Sequence, residues 1–189
     1  KKDNPSLKLA ERFRFNPITK TDWLWIIGGI LFVFIFDFII MEPIAKWMAS
    51  KPLFSAPDHF PILFHPLKEI VFPIKSILGV SLLGNWTFLI ITIFLHTTAI
   101  LAEEFMWRGY ILPRQEARYG KYAWLINGLL WGYLVHCMMP WNFISFLPSM
   151  LITPFIAQRT KNTWTSLMIH GIPNTILWII ILTGILGIG

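Results

Sequence analysis

Five long apolar stretches divide the chain, at 23–41, 86–112, 122–137, 143–158 and 164–183. Each predicts a helix, and an α-helix needs roughly 20 residues to cross a bilayer. Asp22 is the expected N-cap of the first helix, and Asn85 opens the second. Pro113 is expected to stop the second helix, with 114–121 a polar loop after it. Pro140 ends the third, and the fourth contains Pro148 and Pro154. Residues 42–85 are punctuated by six prolines: Pro43, Pro52, Pro57, Pro61, Pro66 and Pro73. The short apolar piece 70–83 holds Pro73 and Lys75 and predicts a re-entrant or interfacial helix. The fold class is therefore all-α, a polytopic transmembrane helix bundle with about five spans plus that extra helix. Residues 1–22 form a basic cytoplasmic or interfacial leader, in which Leu7, Leu9, Phe13 and Phe15 suit a membrane surface. Residues 23–189 form a single domain whose core motifs lie in 86–183.

Composition supports lipid as the solvent. Charged residues make up 14% of the chain, against roughly 25% in soluble domains. The net charge of +6 would suggest nucleic acid in a soluble protein. Here the basic residues flank apolar runs, so anionic lipid headgroups are the expected partners and nucleic acid is not. With the leader in the cytoplasm and five spans, every Lys and Arg except Lys46, Lys51, Lys68 and Lys75 falls on the cytoplasmic side, as the positive-inside rule requires. The first 22 residues lack the apolar core of a signal peptide. A single cysteine, Cys137, excludes an intrachain disulfide.

Against this background a few polar residues are out of place. Glu103, Glu104 and Arg108 lie in the second helix, His136 ends the third, and His170 and Asn174 lie in the fifth. Ionisable groups inside a bilayer are costly and face a bundle interior or a wet cavity where they do chemistry. Helix rise puts Glu103 about 14 Å, His136 about 21 Å and His170 about 9 Å from the loop side, differences that kinks and tilt can close. Glu104 and Arg108 are spaced for an ion pair on one helix face. That pairing leaves Glu103 as the free carboxylate, suited to act as a general base. His136 is placed to orient a water or accept a proton. His170 and Asn174 share a face, and both can donate to a developing oxyanion. His96 lies on nearly the same face as Glu103, and interhelical bonding is its expected role. Asp37, in the first span, has no evident partner.

The order Glu-Glu-x-x-x-Arg, then an aromatic-Gly…His segment, then His-x-x-x-Asn resembles the CPBP family. These are the type II CAAX prenyl endopeptidases and the Abi-like and bacteriocin-processing membrane proteases. The resemblance covers about 86–183 and extends to Arg108-Gly109-Tyr110, Leu112-Pro113-Arg114 and Asn162-Thr163-Trp164. It implies an intramembrane endopeptidase acting on a membrane-associated or lipidated peptide or protein. The setting implied is a bacterial or archaeal cell membrane, with the site open to the cytoplasm. By motif, Glu103 activates water, His136 helps hold it, His170 and Asn174 stabilise the oxyanion, and Glu104 and Arg108 support the site. Four residues before its His the family carries Phe, where this chain has Gly132.

Cofactor use stays open between an unassisted water and a divalent metal. Glu103, His136 and His170 are donors that Zn²⁺ accepts, but no His-Glu-x-x-His spacing preorganises them. Two other functions compete with the peptidase. One is a catalytically inactive membrane adaptor or immunity protein of the same fold. The other is a proton carrier, disfavoured by the lack of an inverted repeat.

Overall fold

In the computed structural model, residues 8–137 and 139–189 are described, apart from the side chains of Phe38, Met41, Val135, His136, Ile144 and Ser145. After a single turn, α1 (Leu9–Arg12), the chain forms α2 (Lys20–Ile35), a π-helical segment Phe36–Ile40 and α3 (Met41–Ala49). The second helical column is α4 (Trp86–Glu104), a π-helical segment Phe105–Ile111 and α5 (Leu112–Tyr119). Then come α6 (Ala123–His136), α7 (Pro140–Thr160) and α8 (Thr163–Leu186). All five of the long apolar stretches are helical. Among the described residues, two stretches are long and apolar enough to cross a membrane by themselves, Trp86–Leu134 and Thr163–Leu186. α2 has 16 residues and α6 has 14, shorter than a full span, and α7 is interrupted by Pro148 and Pro154.

Local chemistry moves two of the expected boundaries. The N-cap of α2 is Thr19, not Asp22. The Thr19 hydroxyl accepts from the Asp22 N–H at 3.1 Å, and the Asp22 carboxylate accepts from the Thr19 N–H at 2.9 Å, a reciprocal capping box. Asn85 does cap α4, accepting from the Phe88 N–H at 3.1 Å. Pro113 does not end the second column. The π-helical segment before it changes the hydrogen-bond register, so Pro113 lies in the first turn of α5, where its missing N–H costs nothing. The Arg114 side chain donates to the Tyr110 carbonyl there at 2.9 Å. The expected loop 114–121 is thus mostly helical.

Residues 70–83 form neither a re-entrant nor an interfacial helix. They hold a small antiparallel hairpin, β1 (Ser76–Ile77) and β2 (Val80–Ser81), with Ser76 opposite Ser81 and Ile77 opposite Val80. Leu78 and Gly79 turn the chain with φ of 51° and 80°, the left-handed pair a two-residue hairpin requires. Ile74 and Leu82 at its base pack with Leu89, Ile181 and Ile185, fixing the hairpin to α4 and α8.

α7 lies between α6 on one side and α2 and α3 on the other, while α8 packs on α2, α4 and α7. Small residues permit these approaches. A Cβ at Gly128 would come within 2.6 Å of the Met150 carbonyl, and one at Gly132 would collide with the Met150 sulfur. The two glycines stand one turn apart, as small residues do where membrane helices meet closely. Gly132 therefore has a packing reason of its own.

The leader is more tightly held than a surface-lying segment would be. Leu9 is exposed, but Phe13 stacks on Phe105 with centroids 3.9 Å apart, and Phe15 meets Trp164 edge-on at 5.0 Å. Leu7 is outside the described residues.

Candidate active site

The second column places Glu103 and Glu104 at the end of α4, just before the π-helical segment that carries Arg108. Glu104 and Arg108 are fully buried. Arg108 Nη1 lies 3.1 Å from Glu104 Oε1, the expected pair one turn apart. Two charges taken from water need each other, because either alone would be an uncompensated charge in a low dielectric.

His170 joins them from α8. Its Nδ1 is 2.9 Å from Glu104 Oε1. A carboxylate accepts, so Nδ1 carries the proton, and the chemistry of this ring falls to Nε2. Glu104 Oε1 thus contacts both Arg108 and His170 and orients the imidazole. Asn174, one turn further on, donates from Nδ2 to the His170 carbonyl at 2.8 Å. One of its two amide protons is engaged with its own helix.

Glu103 has a different partner. Trp131 of α6 donates from Nε1 to Glu103 Oε2 at 2.9 Å. The same indole lies under the Arg108 guanidinium, 3.8 Å from the ring centroid, and meets the His170 ring edge-on at 5.1 Å. Trp131 is itself buried among Trp107 and Met150. Residues from α4, the π-helical segment, α6 and α8 are therefore gathered on one indole. Sequence reasoning did not assign this role to Trp131. The available signal was an indole N–H inside an apolar helix, which needs an acceptor when buried.

The remaining candidates sort by position. His136 ends α6, and its side chain lies outside the described residues. His96 accepts from Trp178 Nε1 at 3.0 Å, an interhelical bond as expected. Asp37 has a partner no local pattern indicated: the Ser149 hydroxyl of α7, 2.6 Å from both carboxylate oxygens. Among the described residues no three His, Cys, Asp or Glu converge as a metal site. The set Glu103, His136 and His170 includes a side chain outside that description.

Toward the loop side, Glu116 of α5 accepts from Arg14 at 2.7 and 3.0 Å and from Lys161. Burial pushes its carboxyl up, but hydrogen bonds from Arg14 and Lys161 and their charges outweigh this and hold it below the ordinary carboxylate value.

No curated protein and no solved structure matches the chain. Residues 85–176, which run from the cap of α4 past Asn174, match the family model described as Type II CAAX prenyl endopeptidase Rce1-like. That stretch holds the Glu pair, Arg108, Trp131, His170 and Asn174 together, and over it the chain is similar to the Rce1-like type II CAAX prenyl endopeptidases.

Proposed function

We propose that the protein is an intramembrane endopeptidase that hydrolyses a peptide bond of a membrane-associated or lipidated peptide, with Glu103 as the base that activates water. The observation that carries this reading is the unequal pairing of the two adjacent carboxylates. Glu104 is bound to Arg108 and His170, whereas Glu103 accepts from a neutral indole. Glu103 therefore has a carboxylate oxygen, Oε1, that the indole does not occupy and that can meet a water. Glu103 takes a proton from water, and the oxygen attacks the scissile carbonyl. His170, held through Nδ1 by Glu104, donates from Nε2 to the oxyanion as an imidazolium whose charge the Glu104 carboxylate balances. Asn174 adds its second amide proton, and Glu103 passes the proton it took from water to the leaving amine. His136 helps hold the water, and Glu104 and Arg108 fix the geometry. The bundle of five spans is oriented with its leader and the site's opening toward the cytoplasm of a bacterial or archaeal cell.

The alternative is a catalytically inactive membrane adaptor of the same fold; Gly132, in the place of the family's Phe, does not by itself favour it, because packing against Met150 accounts for a glycine there. The test is cleavage of a broad peptide set by purified protein in detergent, comparing wild type with Glu103→Gln, each with and without a strong chelator. Turnover should fall by about 10² or more in Glu103→Gln, the range of general-base catalysis. Persistence of wild-type turnover in that variant refutes the assignment. Loss on chelation, restored by Zn²⁺, would instead make Glu103 a ligand.

A further inference from the structure

The leader crosses the loop-side ends of the second column and of α8, both of which carry residues of the candidate site, and it does so as a bound peptide would. Its main chain is recognised at three points. The Thr163 N–H donates to the Arg14 carbonyl at 2.8 Å, the Thr163 hydroxyl to the Phe13 carbonyl at 2.7 Å, and Asn162 Nδ2 to the Asn16 carbonyl at 3.2 Å. Its two aromatic side chains, one residue apart, share a slot. Phe13 stacks on Phe105, and Phe15 lies between Phe105 and Trp164. The slot floor is Gly109, where a Cβ would sit only 3.2 Å from the Phe13 carbonyl oxygen. Arg14 latches the segment to Glu116 through two hydrogen bonds and adopts a left-handed φ of 57°, unusual for a residue with a side chain.

The slot borders the candidate site on both the second column and α8. Phe105 follows Glu104 directly, and Gly109 follows Arg108. On α8, Trp164 precedes His170 by six residues, about 9 Å of helix rise. We propose that this slot is a peptide subsite of the candidate site, and that residues 13–16 fill it as an intramolecular stand-in that must leave before a substrate docks. The ligand it fits is a peptide with two bulky apolar side chains separated by one residue and with free main-chain carbonyls. The inference rests on the peptidase reading for what the subsite serves, but occupancy of the slot is testable without turnover. A tethered segment competes at high effective concentration, so wild type should hold its own leader in preference to free peptide.

A disulfide can lock the leader in place. A Cβ built at Gly109 lies 3.3 Å from the Phe13 Cβ, close to the spacing disulfides use. The test takes the full chain in detergent with Cys137→Ser, Phe13→Cys and Gly109→Cys. The probe is a fluorescein-labelled peptide copying residues 11–18, with binding read by anisotropy in the oxidised and reduced states. The reduced protein should bind about tenfold or more tighter than the oxidised one. Equal affinity in the two states, including no binding in either, overturns the proposal. Should the cysteine variant fail to fold, Arg14→Gln releases the latch and keeps both rings. It should bind the probe more tightly than wild type, and unchanged affinity overturns the proposal equally. Hydrolysis is followed in the same samples. Redox-dependent binding without any cleavage supports the slot and refutes the peptidase, while cleavage indifferent to the disulfide does the reverse.

Discussion

The indole N–H of Trp131 donates to Glu103 at 2.9 Å, tying α6 to the proposed base on α4. This bond orients Glu103 without charging its surroundings. Trp131→Phe removes the donor and keeps an aromatic ring against Arg108 and His170. A hydrogen bond to a charged group is worth roughly 1.5–3 kcal/mol, so kcat/KM should fall about 10- to 100-fold. The thermal midpoint should fall little, because most of the packing stays. Peptide hydrolysis and thermal melting of the same preparation check both halves. A variant that melts much earlier and loses activity in proportion would make Trp131 structural only.

The buried Glu104–Arg108 pair gives a second expectation, with opposite signs for breaking and replacing it. Arg108→Ala leaves the Glu104 carboxylate without its guanidinium partner inside the bundle, which should cost about 3–5 kcal/mol. Glu104→Leu combined with Arg108→Met replaces both charges by apolar volume and should recover most of that stability. The double variant should still be inactive, because His170 loses the carboxylate that holds Nδ1. Denaturation midpoints and turnover of the three proteins separate the two effects. A double variant as unstable as Arg108→Ala would contradict the ion-pair account.

Local spacing made some of this readable and left the rest out of reach. Glu104 and Arg108 are one turn apart on a single helix, so their pairing follows from the helix itself. The apolar runs located α2, α4, α6, α7 and α8 for the same reason. Trp131 with Glu103 and Ser149 with Asp37 join residues 28 and 112 positions apart, and such contacts depend on which helix faces meet. That is set by tertiary packing, including the close approach at Gly128 and Gly132. The hairpin at 76–81 differs from the expected helix because apolarity alone does not distinguish a helix from a strand pair. The decisive feature was the left-handed turn at Leu78 and Gly79.

Gly132 yields a third prediction. A side chain there meets the Met150 sulfur at the contact of α6 with α7. Gly132→Ala should therefore destabilise by about 1–3 kcal/mol, the usual cost of overpacking. Met150→Ala, made in the same protein, should restore much of the loss by vacating the contested space. Thermal melting of the two single variants and the double variant measures this coupling directly. Additive losses would mean that Gly132 is not held to glycine by Met150.

Glu116 links the leader to the rest of the protein, and its protonation gives a pH-dependent signature. Its carboxyl is held below the ordinary value of 4.5 in the folded protein, by Arg14 and Lys161 acting against burial. A carboxyl with a lowered folded pKa contributes stability that is fully present above its unfolded pKa. That contribution is lost as pH falls through the folded value. Glu116→Gln should therefore melt below wild type at neutral pH, and the gap should close as the pH is taken below the ordinary carboxylate range. The pair with Arg14 is partly solvent-screened, so high salt at neutral pH should narrow the gap as well. The check is a set of melting curves for the two proteins across pH, at low and high salt. A gap that stays constant or widens in acid would show that the carboxylate charge of Glu116 does not hold the leader.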